Sequence, residues 1–153
     1  MNHTQLTAAI GNTLLLQVLP EFMREKFIEL ILSASAEVDI GPGDILFRAG
    51  EPDVDRGYIC LEGALRVTRA DGTVRYIEAP DILGEVQLFS PGAKRTATVE
   101  AVFGGAALEF EWRDLGAMAK DTFGKDELRE LRDAIAHSAS MREKNLLESL
   151  DSR

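Results

Sequence analysis

Gly57 to Ile77 reads G-Y-I-C-L-E-G-A-L-R-V-T-R-A-D-G-T-V-R-Y-I. Gly57 to Leu61 is a short apolar strand, and Glu62-Gly63 turns the chain into Ala64-Leu65-Arg66-Val67-Thr68, which alternates as a half-buried strand should. Asp71-Gly72 is the strongest hairpin signal in the sequence. It joins that strand to Thr73-Val74-Arg75-Tyr76-Ile77.

The same texture extends outward on both sides. Upstream, Gly41-Pro42-Gly43-Asp44 and Gly50-Glu51-Pro52-Asp53 are turns, with Ile45-Leu46-Phe47 as a strand between them. Downstream, Thr96 to Val102 and Ala106 to Phe110 complete the array. Short strands recurring every ~8–12 residues argue for a β-sandwich or jelly roll. Helices flank it. Leu14 to Leu19 and Glu21 to Ser33 carry Phe22, Phe27, Ile28, Ile31 and Leu32 at amphipathic spacing. Trp112 to Ala119 is a short helix, and Asp126 is read as the N-cap of a long one running to Leu150, with Leu128, Leu131, Ile135, Ala139, Leu146 and Leu150 as an apolar seam. The predicted fold is therefore mainly β with flanking helices: an antiparallel β-sandwich or jelly roll with N-terminal helices and a long C-terminal helix. It forms one domain over residues 1–153, helical at 1–35, a β-roll at 36–110, and C-terminal helices at 111–150.

Composition excludes several classes of function. The formal charge of −9 has the wrong sign for neutralising nucleic-acid phosphates. No apolar run approaches the ~18 residues a membrane span needs, and the first Lys or Arg, Arg24, follows Leu14-Leu15-Leu16 instead of preceding it as in a secretory signal. The single Cys60 cannot form an internal disulfide and reads as a buried small hydrophobe in a reducing cytoplasm. The only histidines are His3 and His137, in an untethered N-terminus and on the last helix, so no 2-His-1-carboxylate metal set can form, and no Gly-x-Ser-x-Gly elbow occurs. The chain is expected to be no enzyme and to hold no metal.

Leu83 to Val99, L-G-E-V-Q-L-F-S-P-G-A-K-R-T-A-T-V, is the stretch with chemistry in it. Gly84 permits a close backbone approach, so the N–H groups from Glu85 to Leu88, Val86 and Gln87 among them, can converge on an anion. Arg95 supplies a planar fork that donates two parallel hydrogen bonds to a phosphate. Glu85 would repel a phosphate, and makes sense beside it only as an acceptor for a nearby hydroxyl such as a ribose offers.

These parts together, G-D-I-L-F-R-A-G-E at Gly43 to Glu51, Y-I-C-L-E-G-A-L-R-V at Tyr58 to Val67, and D-I-L-G-E-V-Q-L-F followed by R-T-A-T-V, resemble the cyclic-nucleotide-binding domain family over roughly Leu14 to Leu150. The resemblance implies a ligand, cyclic AMP or cyclic GMP, and a role for each matching position. Glu85 would accept the ribose 2′-hydroxyl. The amides near Gly84, Val86 and Gln87 would hold the exocyclic phosphate oxygens, and Arg95 would pair with the phosphate charge. Thr96 would touch base or phosphate, Phe47, Val67 and Val74 would line the apolar wall, and Ser140 on the long helix would reach the purine. The chain departs from the family pattern at Leu83, where Phe is common, and at Gln87, where Ala, Gly or Ser is usual. Gln87 keeps open a second reading, a degenerate pocket in a protein-interaction module.

The resemblance also implies output. In catabolite-activator-type relatives the long helix leads into a helix-turn-helix domain, whereas here only Asp151-Ser152-Arg153 follow Leu150, so no DNA binding is expected. A signal would leave through an unidentified protein partner or a homodimer along the C-terminal helix.

Overall fold

The computed structural model describes residues 1–51, 55–84 and 95–151, the stretch 142–151 by its backbone alone. Strands β1 (Ala36–Ile40), β2 (Ile45–Phe47), β3 (Arg56–Cys60), β4 (Ala64–Arg69), β5 (Val74–Glu78), β6 (Asp81–Leu83), β7 (Ala97–Ala101) and β8 (Gly105–Glu111) follow helices α1 (His3–Gly11), α2 (Leu14–Val18) and α3 (Glu21–Ala34). Helices α4 (Trp112–Thr122) and α5 (Lys125–Asp151) close the chain. The described strands form two antiparallel sheets, sheet A in the order β1-β8-β3-β6 and sheet B in the order β2-β7-β4-β5. The predicted β-sandwich with flanking helices is the observed fold.

Sheet A is the middle layer, and that explains the unbroken apolar run Tyr58-Ile59-Cys60. Ile59 pairs with Ile82 and Leu108 and faces the helices, in one core with Ile10, Leu16, Phe27, Ile31, Leu131 and Ile135. Tyr58 and Cys60, one residue to either side, face sheet B, in a second core with Phe47, Leu65, Val99 and Ala107. A strand covered on both faces has no position left for a polar residue. Sheet B has only one covered face and alternates accordingly, with Leu65 buried and Arg66 exposed, paired to Glu100 at 3.8 Å.

The turn after β4 sets which side chains of β5 look inward. The chain closes on Ala70-Asp71-Gly72, a three-residue loop: the Arg69 N–H donates to the Thr73 carbonyl (2.9 Å) and the Gly72 N–H to the Arg69 carbonyl (2.9 Å). Gly72 takes φ +88°, the left-handed conformation such a loop needs. The Asp71 carboxylate accepts from the Thr73 N–H, and hydrogen bonds from the Thr73 side chain and then its N–H hold that carboxyl below its usual range. One residue more than a two-residue loop reverses the facing of the strand it feeds. Val67 thus lies opposite Arg75, and Thr68 opposite Val74.

The helical boundaries depart from expectation in three places. His3, expected in an untethered N-terminus, lies in α1, within the stretch expected to be helical, and is fixed there by a reciprocal cap in which Asn2 Oδ1 accepts from the Gln5 N–H and Gln5 Oε1 from the Asn2 N–H. Helix α5 begins at Lys125, one residue before the expected cap Asp126, with Gly124 donating its N–H to Glu127 Oε1. Of the predicted α3 stripe, Phe27 and Ile31 are buried with Met23, whereas Phe22 points outward, 72% exposed. On α5, Leu131 and Ile135 are buried with Ala134 and Ser138 in the helix-side core, and Leu128 packs against it, so this part of the apolar seam is occupied within the chain.

Candidate functional site

Four backbone segments meet at the carbonyl of Arg56. Gly84, at the end of β6, takes φ +95°. A Cβ there would sit 2.6 Å from the Arg56 oxygen and 3.2 Å from Phe47 Cζ, so no other residue fits without displacing backbone. Arg95, just before β7, donates from Nη2 to the same oxygen at 3.3 Å. Its guanidinium carbon lies 3.9 Å from the centroid of the Phe47 ring, a cation–π geometry. Phe47 in turn meets Tyr58 edge to face, at 5.5 Å and 72°.

The Arg95 backbone is pinned as firmly as its head. Its carbonyl accepts from the Gly50 N–H (2.8 Å) and its N–H donates to the Glu51 carbonyl (3.2 Å), while the Ala49 N–H donates to Thr98 Oγ1 (3.0 Å). The turn after β2 therefore fixes where the arginine starts, and Phe47 and the Arg56 carbonyl fix where it ends. Below it, Tyr58 Oη accepts from Arg56 Nη1 at 3.3 Å. Burial pushes the Tyr58 hydroxyl above its usual pKa, with Glu109 adding to the shift and the Arg56 hydrogen bond opposing it. The phenol is thus a neutral wall beside a fixed cation.

The sequence-derived site residues are distributed unevenly over this frame. Gly84, Arg95 and Phe47 converge as described. Val67 joins them on the inner face of sheet B, because the register Phe47–Val99–Val67 runs straight across β2, β7 and β4. Val74 does not join them: the three-residue loop turns it to the outer face opposite Thr68, where it is 41% exposed. Arg75 takes the inward position instead and is buried. The sequence signal for this was ambiguous, since Val74 and Tyr76 look like the apolar face of the strand and only the loop length decides otherwise. Thr96 is exposed just before β7, and Ser140 is exposed on α5. Glu85, Val86 and Gln87 lie outside the described residues. Among the described residues no cluster of three or more His, Cys, Asp or Glu side chains could hold a metal ion. None of their helices is long and apolar enough to cross a membrane.

A glycine-permitted close approach of backbone with an arginine clamped over an aromatic ring beside it is an arrangement suited to an anion attached to an apolar body. Solved structures share the fold. The sensor domain of the transcriptional regulator DNR from Pseudomonas aeruginosa aligns over 89% of this chain and 91% of its own, at 19% identity and a TM-score of 0.64. The N-terminal domain of a transcriptional regulator from Streptomyces coelicolor A3(2) aligns over 93% and 94%, at 26% identity and a TM-score of 0.60. The regulatory domain of Toxoplasma gondii PKA, solved with cAMP, aligns over 77% of this chain and 44% of its own, at 27% identity and a TM-score of 0.61. Comparison with curated protein sequences gives no match. The cyclic nucleotide-binding domain profile matches residues 37–122, more than half of the chain, from β1 through the site to the end of α4. The chain therefore belongs to the cyclic nucleotide-binding domain family.

Proposed function

We propose that this chain is a non-catalytic sensor module that binds a cyclic mononucleotide, cyclic AMP or cyclic GMP, between its two sheets. The observation that carries the reading is the clamped Arg95, held at the Arg56 carbonyl and over Phe47 beside a glycine that lets the chain pack directly against that carbonyl. Arg95 takes the phosphate charge, and Gly84 with the amides of Val86 and Gln87 takes the exocyclic oxygens. Glu85 accepts from the ribose 2′-hydroxyl. Phe47 and Val67 form the apolar wall and Thr96 stands at the mouth. Ser140, exposed on α5, meets the purine only once that helix closes over the site, a switch that works through differential affinity for two states.

The module acts in the cytoplasm and passes its signal through a protein contact. Leu128, Leu131 and Ile135 are engaged in the chain's own core, and the side chains of Leu146 and Leu150, the distal residues of the predicted seam, lie outside the described residues. The acidic net charge speaks against nucleic acid as a partner.

Thermal unfolding tests the reading. Nucleotide at ~100 times Kd should stabilise the fold by about 2.7 kcal/mol, a rise in Tm of roughly 5–10 °C for a chain of this size. Linear 5′-AMP and 5′-GMP should give much less. No shift with millimolar cyclic AMP or cyclic GMP would favour the protein-interaction reading that Gln87 keeps open, and Gln87→Ala should then restore the shift if its bulk is the cause. Glu85→Ala should weaken binding and remove discrimination against the 2′-deoxy nucleotide.

A further inference from the structure

The described strands leave four sheet edges, β1 and β6 on sheet A and β2 and β5 on sheet B. Strand β2 is three residues long, and its register shifts between Ile45 and Phe47. Strand β6 is equally short, and β1 carries Glu37 and Asp39 within five residues. Short, irregular or charged edges resist the addition of a further strand. Strand β5 is different. It runs five residues in unbroken register with β4, and its outer face presents Val74 and Tyr76, the latter 59% exposed.

The ladder with β4 fixes which backbone groups of β5 point to the open side. At one end the Arg69 N–H donates to the Thr73 carbonyl (2.9 Å), and at the other the Ala79 N–H donates to the Gly63 carbonyl (3.1 Å). Hydrogen-bonded and non-hydrogen-bonded positions alternate along an antiparallel pair, so Thr73, Arg75, Ile77 and Ala79 turn their N–H and C=O groups toward β4. Val74, Tyr76 and Glu78 turn theirs away from it, along an edge that no described strand covers. Three alternate residues, each with a donor and an acceptor aimed outward, are a template for another extended chain.

We propose that β5 is a homodimerisation edge, which pairs antiparallel with β5 of a second copy about a two-fold axis at Tyr76 and joins two B sheets into one of eight strands. In this register Val74 lies opposite Glu78 of the second copy and Tyr76 opposite its own counterpart, so every outward donor and acceptor of the strand is used. The edge is complementary to itself. Tyr76 meets Tyr76 as a cross-strand aromatic pair, flanked on both sides by Arg66, its neighbour on β4. On the inner face Ile77 comes opposite Arg75 and covers its aliphatic stem. Other registers fail on particular residues. A two-residue shift one way sets Arg75 directly opposite Arg75, a destabilising like-charge pair. The same shift the other way sets Val74 against Pro80, which has no N–H to donate. A one-residue slip would set outer-face residues against inner-face ones. The interface uses neither the C-terminal helix nor the nucleotide-binding reading.

Light scattering of the full chain from ~1 to ~500 µM, a range that spans the affinities of small transient interfaces, should show the mass rise toward twice that of one chain. Tyr76→Lys sets two like charges on the axis while leaving the β4 ladder intact, and should weaken dimerisation by about tenfold or more. Phe103→Lys, at an aromatic side chain exposed elsewhere, should leave it unchanged. Oxidative cross-linking locates the axis. Hydrogen-bonded partners stand ~5.5 Å apart at Cα, within disulfide range, so Tyr76→Cys should form a covalent dimer. Val74→Cys should not, because its two copies lie far apart in this register, and the native Cys60 is buried and does not compete. A parent that stays monomeric at every concentration overturns the proposal and leaves the edge to a strand of another protein. A dimer that Tyr76→Lys does not weaken, or in which Tyr76→Cys fails to cross-link, overturns it as well and moves the interface elsewhere on the chain.

Discussion

The two faces of sheet A carry the same kind of strand residue and do different work. Toward the helices, Ile59, Ile82, Leu108 and Phe110 enter an apolar core with Ile10, Leu16, Phe27 and Ile31. Toward sheet B, Tyr58, Cys60, Leu83 and Ala107 enter a smaller core bordered by Arg95 and Arg75. Both exclude water, and the second does so beside the fixed charge of Arg95. The helix-side face holds the sheet in place, and the sandwich-side face uses a held sheet to position cations that water would otherwise screen.

Stability should therefore respond most to substitutions on the first face. Phe27, 1% exposed in the helix-side core, should cost about 3–5 kcal/mol on truncation to alanine. Wherever the variant is still folded, its nucleotide affinity should match the parent's. Denaturant unfolding with calorimetry on the same samples checks both, and a stable variant with lost affinity would erase the division between the faces.

Gly84→Ala probes the seam between them. The +95° φ and the 2.6 Å approach to the Arg56 oxygen should together lower stability by about 1–3 kcal/mol. The same added methyl presses on the Arg56 carbonyl and the Phe47 ring that hold Arg95, so affinity should fall as well. An alanine variant as stable as the parent would show that the Arg56 carbonyl yields easily and is no fixed anchor for Arg95. Phe47→Leu is milder. It keeps an apolar filler but removes the ring beneath the guanidinium, and it should weaken nucleotide binding by roughly the ~0.5–2 kcal/mol a cation–π contact contributes.

The smallest effect is one of pH. Burial pushes up the pKa of both the Cys60 thiol and the Tyr58 hydroxyl, so the folded state favours their neutral forms. That contribution is fully present below the unfolded thiol value of ~8.5 and is lost as pH rises through the folded value. Tm should decline above pH ~8.5, less steeply in Cys60→Ala. Equal slopes in the two proteins would place the loss in other groups.

The ease of reading these regions from sequence follows from the same division. Strands β2, β3, β4 and β8 were legible because each is bounded by glycine turns and carries a clear apolar pattern. Strand β1, with Glu37 and Asp39 in five residues, lacks one, because it is an edge strand with one side in water. Strand β6 is only three residues long and merges into the glycine motif that follows it. The cation and its glycine were legible because Gly84 and Arg95 stand in a family pattern. Arg75 was not, since its inward facing depends on the length of the Ala70-Asp71-Gly72 loop and not on the identity of the residue. A one-residue difference in that loop decides whether Val74 or Arg75 faces sheet A.

The central claim is that Arg95 belongs to the site and not to the scaffold. Calorimetric titration of Arg95→Ala with cyclic AMP and cyclic GMP, alongside its thermal unfolding without nucleotide, tests it most directly. Loss of two charge-assisted hydrogen bonds at ~1.5–3 kcal/mol each should weaken binding by on the order of 10²- to 10⁴-fold, with the Tm of the free protein within a few degrees of the parent's. A folded Arg95→Ala variant that binds either nucleotide within about threefold of the parent would contradict it.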